Sequence, residues 1–253
     1  MRYPQPHLHQ LGLNDPLPSP SLAWGADTPA PGLLAIGGGL SVQRLLHAYG
    51  QACFPWYSEG QPVMWWSPDP RMVLPVAQFR LHRSLRQHIK SFLKTSGAEI
   101  RIDSAFSQVI HACATAPRPG QDGTWIVPDM VRAYDALHRA GHAHSVETWV
   151  DGQLVGGLYC VAIGHAVFGE SMFAWQSNAS KLALAALTGL CRAQGVVLID
   201  CQQNTAHLAS MGAHPINRTA FLQHLQEATA QPSLDWKFDP LYCSNFQSSQ
   251  PAK

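Results

Sequence analysis

The strongest constraint in this sequence is a change of hydrophobic period near residue 144. Upstream, apolar residues recur at three- and four-residue spacing. Downstream, residues 144–150 alternate, Asp151-Gly152 is a two-residue hairpin signal, and residues 153–163 and 166–173 read as two further strands. A two-residue period cannot be wound into a helix without scattering its apolar face. An antiparallel meander is therefore predicted. Ser177, Asn178 and Ser180 are candidate caps for an apolar helix that runs to Gln194 and closes at Gly195. Residues 196–200 then read as a buried strand with polar residues at its end. Strands, helix and strand in this order give an α+β fold. The last strand would carry Asp200, Cys201 and Gln202 to a sheet edge, where sites of such folds tend to lie.

Before the meander the chain is more irregular. The first 35 or so residues are rich in proline and poor in charge, which suggests an extended arm packed on the body. Ser41 is a candidate N-cap for a short helix over 42–49, stopped by Gly50. Residues 53–75 fit neither a regular helix nor a clean strand. An amphipathic helix is predicted over 79–94, with Leu81, Leu85, Ile89, Phe92 and Leu93 on one side and Arg80, Arg83, Arg86, Lys90 and Lys94 on the other. That basic stripe reads either as a solvated outer face or as a phosphate-binding ridge. Two more helices are predicted, one capped by Asp103 and one running from near Pro128 to Gly141.

The 253 residues are 46% hydrophobic, enough for one large core or two modest ones. A formal net charge of +1 is too small for a field that holds nucleic acid over the whole surface, so any RNA contact must be local. The first ten residues lack a signal-peptide core and no stretch is long and apolar enough to span a bilayer, so a cytoplasmic protein without a membrane partner is expected. Cys53, Cys113, Cys160, Cys191, Cys201 and Cys243 are scattered and read as free thiols.

Gly37-Gly38-Gly39 fits no phosphate-loop spacing and reads as a turn before the Ser41 cap. His138, His142 and His144 are spaced roughly like metal ligands, but no thiolate or carboxylate completes a set, and they read as structural. Cys201 neighbours Asp200 on a strand and so points to the opposite face, which disfavours a thiol nucleophile. Trp56, Trp65, Trp66 and Trp125 read as core or as platforms for unpaired RNA bases. Glu170 and Asp200 sit among apolar neighbours, where a carboxylate must be paired or functional.

Together the motifs resemble one family, the leucyl/phenylalanyl-tRNA-protein transferases. The resemblance rests on GLLAIGG at residues 32–38, FPW at 54–56, WWSPDPR at 65–71 and GTW at 123–125. It continues in AGHAHSVE at 140–147, GESMF at 169–173, NASK at 178–181 and LIDCQ at 198–202. These segments occur in family order and span about residues 32–243.

The resemblance implies a small N-terminal domain (1–78), a larger domain like the acetyltransferase (GNAT) fold with a mixed, mainly antiparallel sheet (79–243), and a tail (244–253). It implies transfer of Leu or Phe, and less readily Met, from aminoacyl-tRNA to proteins beginning with Arg or Lys, which marks them for degradation. No metal or organic cofactor is implied, and the family suggests a monomer. Carried over by motif, Asp200 and Gln202 are the implied catalytic pair, either as a relay in which Asp200 polarises Gln202 or as groups that orient the amine. Glu170 is implied to contact the terminal adenosine or the aminoacyl amine, and Trp56 and Trp125 to wall the donor site. Leu158, Val167 and Ile199 are implied to line the amino-acid pocket, and the stripe from Arg80 to Lys94 to meet the tRNA acceptor stem. Leu158 and Val167 stand where family members can carry Met and Phe, which leaves the ranking of Leu, Phe and Met open. Gly39 replaces an Asp frequent in the family.

An acyl-CoA-dependent acetyltransferase would need a glycine-rich pyrophosphate loop before the helix at Ala179, and Gln176–Ser180 is not one. An RNA-binding protein with a dead transferase domain is the other rival, opposed by the intact Asp200, Gln202 and Glu170.

Overall fold

The computed structural model describes residues 7–117, 124–240 and Tyr242. The tail 244–253, Cys243 and Gly123 of the GTW motif lie outside the described residues. In chain order the elements are β1 (His9–Leu11), β2 (Leu33–Gly37), α1 (Val42–Gly50), β3 (Phe54–Pro55), β4 (Met64–Trp66) and β5 (Arg71–Pro75). They continue with α2 (Arg83–Phe92), β6 (Ala98–Ile102), α3 (Phe106–Thr115), α4 (Pro128–Arg139), β7 (Ala143–Val150), β8 (Gln153–Ile163) and β9 (Ala166–Ala174). The chain closes with α5 (Ala179–Ala193), β10 (Leu198–Gln202), α6 (Ala206–Ser210), β11 (His214–Ile216) and α7 (Arg218–Thr229).

A small sheet in the order β1-β2-β4-β3 shares a hydrophobic cluster with a seven-stranded sheet in the order β11-β5-β10-β9-β8-β7-β6. In the larger sheet β9 and β10 run parallel and every other neighbour is antiparallel. The fold is thus α+β with a mixed, mainly antiparallel sheet. The predicted meander is β7–β9, and most of its residues are buried, on both faces. On one face lie α1, α3, α4 and α7, packed with Phe106, Tyr134, Tyr159, Phe168 and Phe221. On the other lie α2 and α5, packed with Leu85, Ile89, Leu158, Val167, Leu187 and Ile199.

Several local expectations change. Residues 53–75 hold three strands, and β5 is a central one, between β10 and β11. Its alternation is hidden because Arg71, Met72, Val73 and Leu74 are all buried. Because β5 belongs to the larger sheet, we propose the boundary between the two units just before Arg71 rather than after residue 78.

The helix expected over 79–94 is shorter, Arg83–Phe92. Phe79 and Leu81 are buried from an extended approach, and His82 is the extended N-cap. Arg80 and Lys94 flank the helix, and Leu93 is exposed at 37% because the helix has ended before its face is complete. Ser41 caps α1 as expected, accepting from the Arg44 amide. Asp103 does not cap α3: it sits at φ 56, and its carboxylate accepts from the Ser145 amide and pairs with His144 Nδ1 at 2.7 Å. α3 has no side-chain cap: Ala105 takes the N-cap position, and buried Glu147 on the neighbouring strand accepts from the Ala105 amide, the Ser104 and Ser145 hydroxyls and Trp149 Nε1. Four donors satisfy a carboxylate that would otherwise be costly to bury. None of the caps predicted for α5 acts through its side chain: Asn178 takes the N-cap position at φ 66 without a capping bond.

One contact fixes how closely α5 sits on the sheet. A Cβ placed on Gly156 of β8 would come within 2.4 Å of Ala179 Cβ. Gly156→Ala should therefore lift the start of α5 and cost about 1–3 kcal/mol. In a thermal melt that is a fall of roughly 2–4 °C per kcal/mol for a chain of this size. An unchanged melting temperature would mean that α5 is not held by this approach.

Candidate functional site

The parallel pair is where the site forms. β9 and β10 pair at only two positions, Ile199 with Val167 and Asp200 with Phe168, after which they part. Into the gap opens a cavity of about 310 Å³, at the lower end of the range for small-ligand sites. Its apolar lining includes Phe54 and Trp56 from the N-terminal unit, Trp125 from the approach to α4, and Leu158, Met172, Leu184, Leu187 and Ile199 from the sheet and α5. Its polar lining includes Glu170, Gln202 and His207. A site at the carboxyl ends of neighbouring parallel strands is the usual place for a ligand in such sheets.

Gln202 reaches the cavity by a break in strand geometry. Regular alternation would send Asp200 and Gln202 to one face and Cys201 to the other. Instead the register against β5 shifts between Asp200 and Gln202, and Gln202 takes φ 61. A bulge of this kind re-aims a side chain, and Cys201 and Gln202 both line the cavity. Burial pushes the Cys201 thiol well up, so it is no nucleophile at neutral pH.

Asp200 does not line the cavity. It is 1% exposed and forms a bidentate ion pair with Arg71, Nε to Oδ1 at 2.8 Å and Nη2 to Oδ2 at 2.6 Å. Its Oδ1 also accepts from the backbone amide of Gln202 at 2.9 Å. The side-chain amide of Gln202 meets a different carboxylate, donating from Nε2 to Glu170 Oε1 at 2.8 Å. A relay in which Asp200 polarises the Gln202 side chain therefore has no contact to run through.

Glu170 is the hub. Tyr49 Oη donates to its Oε1 at 2.7 Å and Tyr134 Oη to its Oε2 at 3.2 Å, while the two phenols also touch each other. Burial pushes the Glu170 pKa up to about 7, the nearby Asp200 charge adds to the rise, and the three donors oppose it. Burial, with the Glu170 charge, holds both phenols well above their ordinary pKa, so they stay protonated. Each phenol has one proton for two contacts; when Glu170 is protonated it can donate to one phenol, which is then free to donate to the other. The triad can thus hold or release one proton near neutrality.

The other expected residues fall as follows. Trp56, Trp125, Leu158 and Ile199 line the cavity with Glu170 and Gln202. Val167 does not: it is 2% exposed and lies beneath the lining, in register with Ile199. Arg83, Arg86 and Lys90 line a separate hollow with Leu81 and Gln87, while Arg80 and Lys94, before and after the helix, are exposed. His144 and His138 are taken up by Asp103 and the Ala143 carbonyl, and His144 stacks on Trp236 at 3.9 Å. Among the described residues no group of His, Cys, Asp and Glu could hold a metal ion. Sequence reasoning missed Tyr49, Tyr134, Arg71 and His207. Arg71 stood at the end of the WWSPDPR motif, but nothing in the pattern said that it pairs with Asp200.

The family model for leucyl/phenylalanyl-tRNA protein transferase matches residues 73–226, and that for the N-terminal domain of the same proteins matches residues 38–69. The chain belongs to this family. Enzymes named leucyl/phenylalanyl-tRNA–protein transferase from Albidiferax ferrireducens and a Polaromonas species are 62% and 59% identical, over 92% of this chain and 92% and 91% of theirs. One from Leptothrix cholodnii is 60% identical over 89% of this chain and 88% of its own. The chain is accordingly an aminoacyltransferase whose substrates are an aminoacyl-tRNA and a protein. Among solved structures, a GCN5-related N-acetyltransferase from Kribbella flavida overlaps 67% of this chain and 59% of its own at 12% identity, with a TM-score of 0.36. L-PGS from Bacillus licheniformis overlaps 68% and 53% at 10% identity, with a TM-score of 0.37.

The raised pKa of Glu170 links stability to pH. The folded protein holds this proton more tightly than the unfolded chain, whose carboxyl titrates near 4.5. The stability so gained is complete below about pH 4.5 and is lost as pH rises through about 7. Glu170→Gln keeps the shape and removes the titration. Urea unfolding at pH 5 and pH 8.5 should show the wild type losing stability between the two while the variant loses less. Parallel losses in both proteins would place the proton elsewhere.

Proposed function

We propose that the chain moves Leu or Phe, and less readily Met, from aminoacyl-tRNA to the N-terminal α-amine of proteins beginning with Arg or Lys, in the cytoplasm and as a monomer. The product would carry a degradation signal. The observation that supports this placement of the reaction is the cavity itself, a largely apolar hollow at whose wall Glu170 and Gln202 are bonded to each other.

The aminoacyl side chain enters among Leu158, Leu184, Leu187, Ile199 and Met172, where burial of apolar surface favours Leu and Phe over polar residues. Trp56 and Trp125 flank the terminal adenosine. Glu170 binds the Gln202 Nε2 and so leaves the Gln202 amide oxygen, which accepts from no described residue, to receive an N–H of the incoming amine. The amine nitrogen attacks the ester carbon, the C–N bond forms as the ester C–O bond breaks, and the amine proton ends on the released ribose oxygen. An α-amine has a reference pKa of about 7.7, and an ester is already activated, so positioning supplies most of the rate. Arg80, Arg83, Arg86, Lys90 and Lys94 hold phosphates of the acceptor stem.

The reaction is tested by offering leucyl-, phenylalanyl- and methionyl-tRNA to a protein beginning with Arg, Lys or Ala. Transfer confined to the Arg and Lys proteins is expected; equal transfer to the Ala protein would remove acceptor selectivity from the account. Gln202→Ala should lower kcat by roughly 100-fold, the scale of a misplaced reacting group, with little change in KM.

The ridge makes a separate prediction. Replacing Arg83, Arg86 and Lys90 by Ala should raise KM for the aminoacyl-tRNA and make its salt dependence shallower, by about 0.7–0.9 in log–log slope for each phosphate that is no longer neutralised. The ranking of Leu, Phe and Met should not move. A changed ranking with an unchanged salt slope would mean that the helix touches the amino acid and not the RNA.

A further inference from the structure

We infer that Arg71 is a positioning residue for the transfer reaction: through Asp200 it holds the left-handed bulge that turns Gln202 into the cavity. The inference rests on the role proposed above for Gln202.

Arg71 is 1% exposed on β5, and its guanidinium is held on every side. Phe54 and Phe221 lie on it with ring centroids 4.8 and 4.9 Å from Cζ. Nη1 donates to the Ala52 carbonyl at 3.1 Å, and Nε and Nη2 donate to the two oxygens of Asp200. A planar fork fixed in this way fixes the carboxylate that it grips in both distance and plane. Lysine could supply the charge but not the second bond.

The fixed carboxylate then acts on the backbone. Asp200 Oδ1 accepts from the amide of Gln202 two residues on, closing an Asx-type turn over Cys201. That turn coincides with the register shift and with φ 61 at Gln202, a conformation that a non-glycine residue keeps only where its surroundings enforce it. Without it β10 would continue as a strand, and Gln202 would follow Asp200 away from the cavity. The carboxylate that resembles half of a catalytic pair thus has both oxygens occupied and no cavity wall. What it needs from its chemistry is an acceptor oxygen at Oδ1 and a matched partner at residue 71.

That requirement separates positioning from proton transfer. Asparagine at 200 keeps an acceptor oxygen for the Gln202 amide, but leaves Arg71 buried without a counter-charge. A neutral partner at residue 71 removes that conflict. Kinetics of wild type, Asp200→Asn, Arg71→Gln and the double variant should be measured with aminoacyl-tRNA and an Arg-initiated protein, alongside thermal melts.

Asp200→Asn alone should lose roughly 100-fold in kcat and melt lower, while KM for the aminoacyl-tRNA stays near wild type. The double variant should recover the melting temperature and at least tenfold of the lost kcat. A double variant that melts like wild type yet stays as inactive as Asp200→Asn would overturn the inference, because the charge of Asp200 would then be required. So would an Asp200→Asn enzyme of wild-type kcat.

Arg71→Lys gives an independent reading should the double variant not fold. It should lose at least tenfold in kcat, and the Gln202 amide should exchange hydrogen faster than in wild type. Wild-type kcat and exchange in Arg71→Lys would contradict the inference. A wild-type protein that transfers nothing to any acceptor would instead sink the proposed reaction, while the exchange measurement would still report on the bulge.

Discussion

Everything at the site follows from the short pairing of β9 and β10. Two parallel strands that hydrogen-bond at two positions and then part leave a gap in a sheet that is otherwise closed, and backbone and side chains on both sides of the gap face a common space. On one side of the gap the sheet is held by the long antiparallel pairs β7–β8 and β8–β9. The apolar layers on its two faces, with α3 and α4 on one and α5 on the other, hold the strands apart at a fixed width. Gly156 lets α5 approach closely enough to bring Leu184 and Leu187 to the gap.

Around the gap, two carboxylates carry opposite assignments, Asp200 behind the wall and Glu170 on it. Asp200 is paired with a cation and has both oxygens filled, so it acts on structure. Glu170 has only neutral donors, and burial without a counter-charge pushes it to about 7, where it can exchange a proton under cellular conditions. Gln202 is bonded to both, by its backbone to Asp200 and by its side chain to Glu170, and so joins the rigid pair to the titrating one. The transfer chemistry demands little beyond position, and this arrangement supplies position.

Much of this was legible in the sequence, and for identifiable reasons. The meander from 143 to 174 obeys a period that only strands have, and α1 was readable because Ser41 caps it. The cavity residues Trp56, Trp125, Glu170 and Gln202 were readable because short motifs carry them, even though they come from four distant segments. β5 was not readable, because a strand buried on both faces shows no alternation and its first residue is a buried arginine. The Arg71–Asp200 pair spans 129 residues, and no local pattern reports such a partner. Val167 was misplaced for a related reason: alternation assigns it a face, but not its depth on that face beneath the cavity lining.

The central claim is that the gap between β9 and β10 receives the aminoacyl end of the tRNA, with Gln202 beside the reacting carbon. A crystal structure with a hydrolysis-resistant phenylalanyl-adenosine amide tests this most directly. The account predicts the phenylalanyl ring against Leu158, Leu184 and Ile199, and the amide carbonyl carbon within about 3.5 Å of a point that an amine bonded to Gln202 Oε1 would occupy. An analogue bound elsewhere, or bound here with its carbonyl turned away from Gln202, would contradict it.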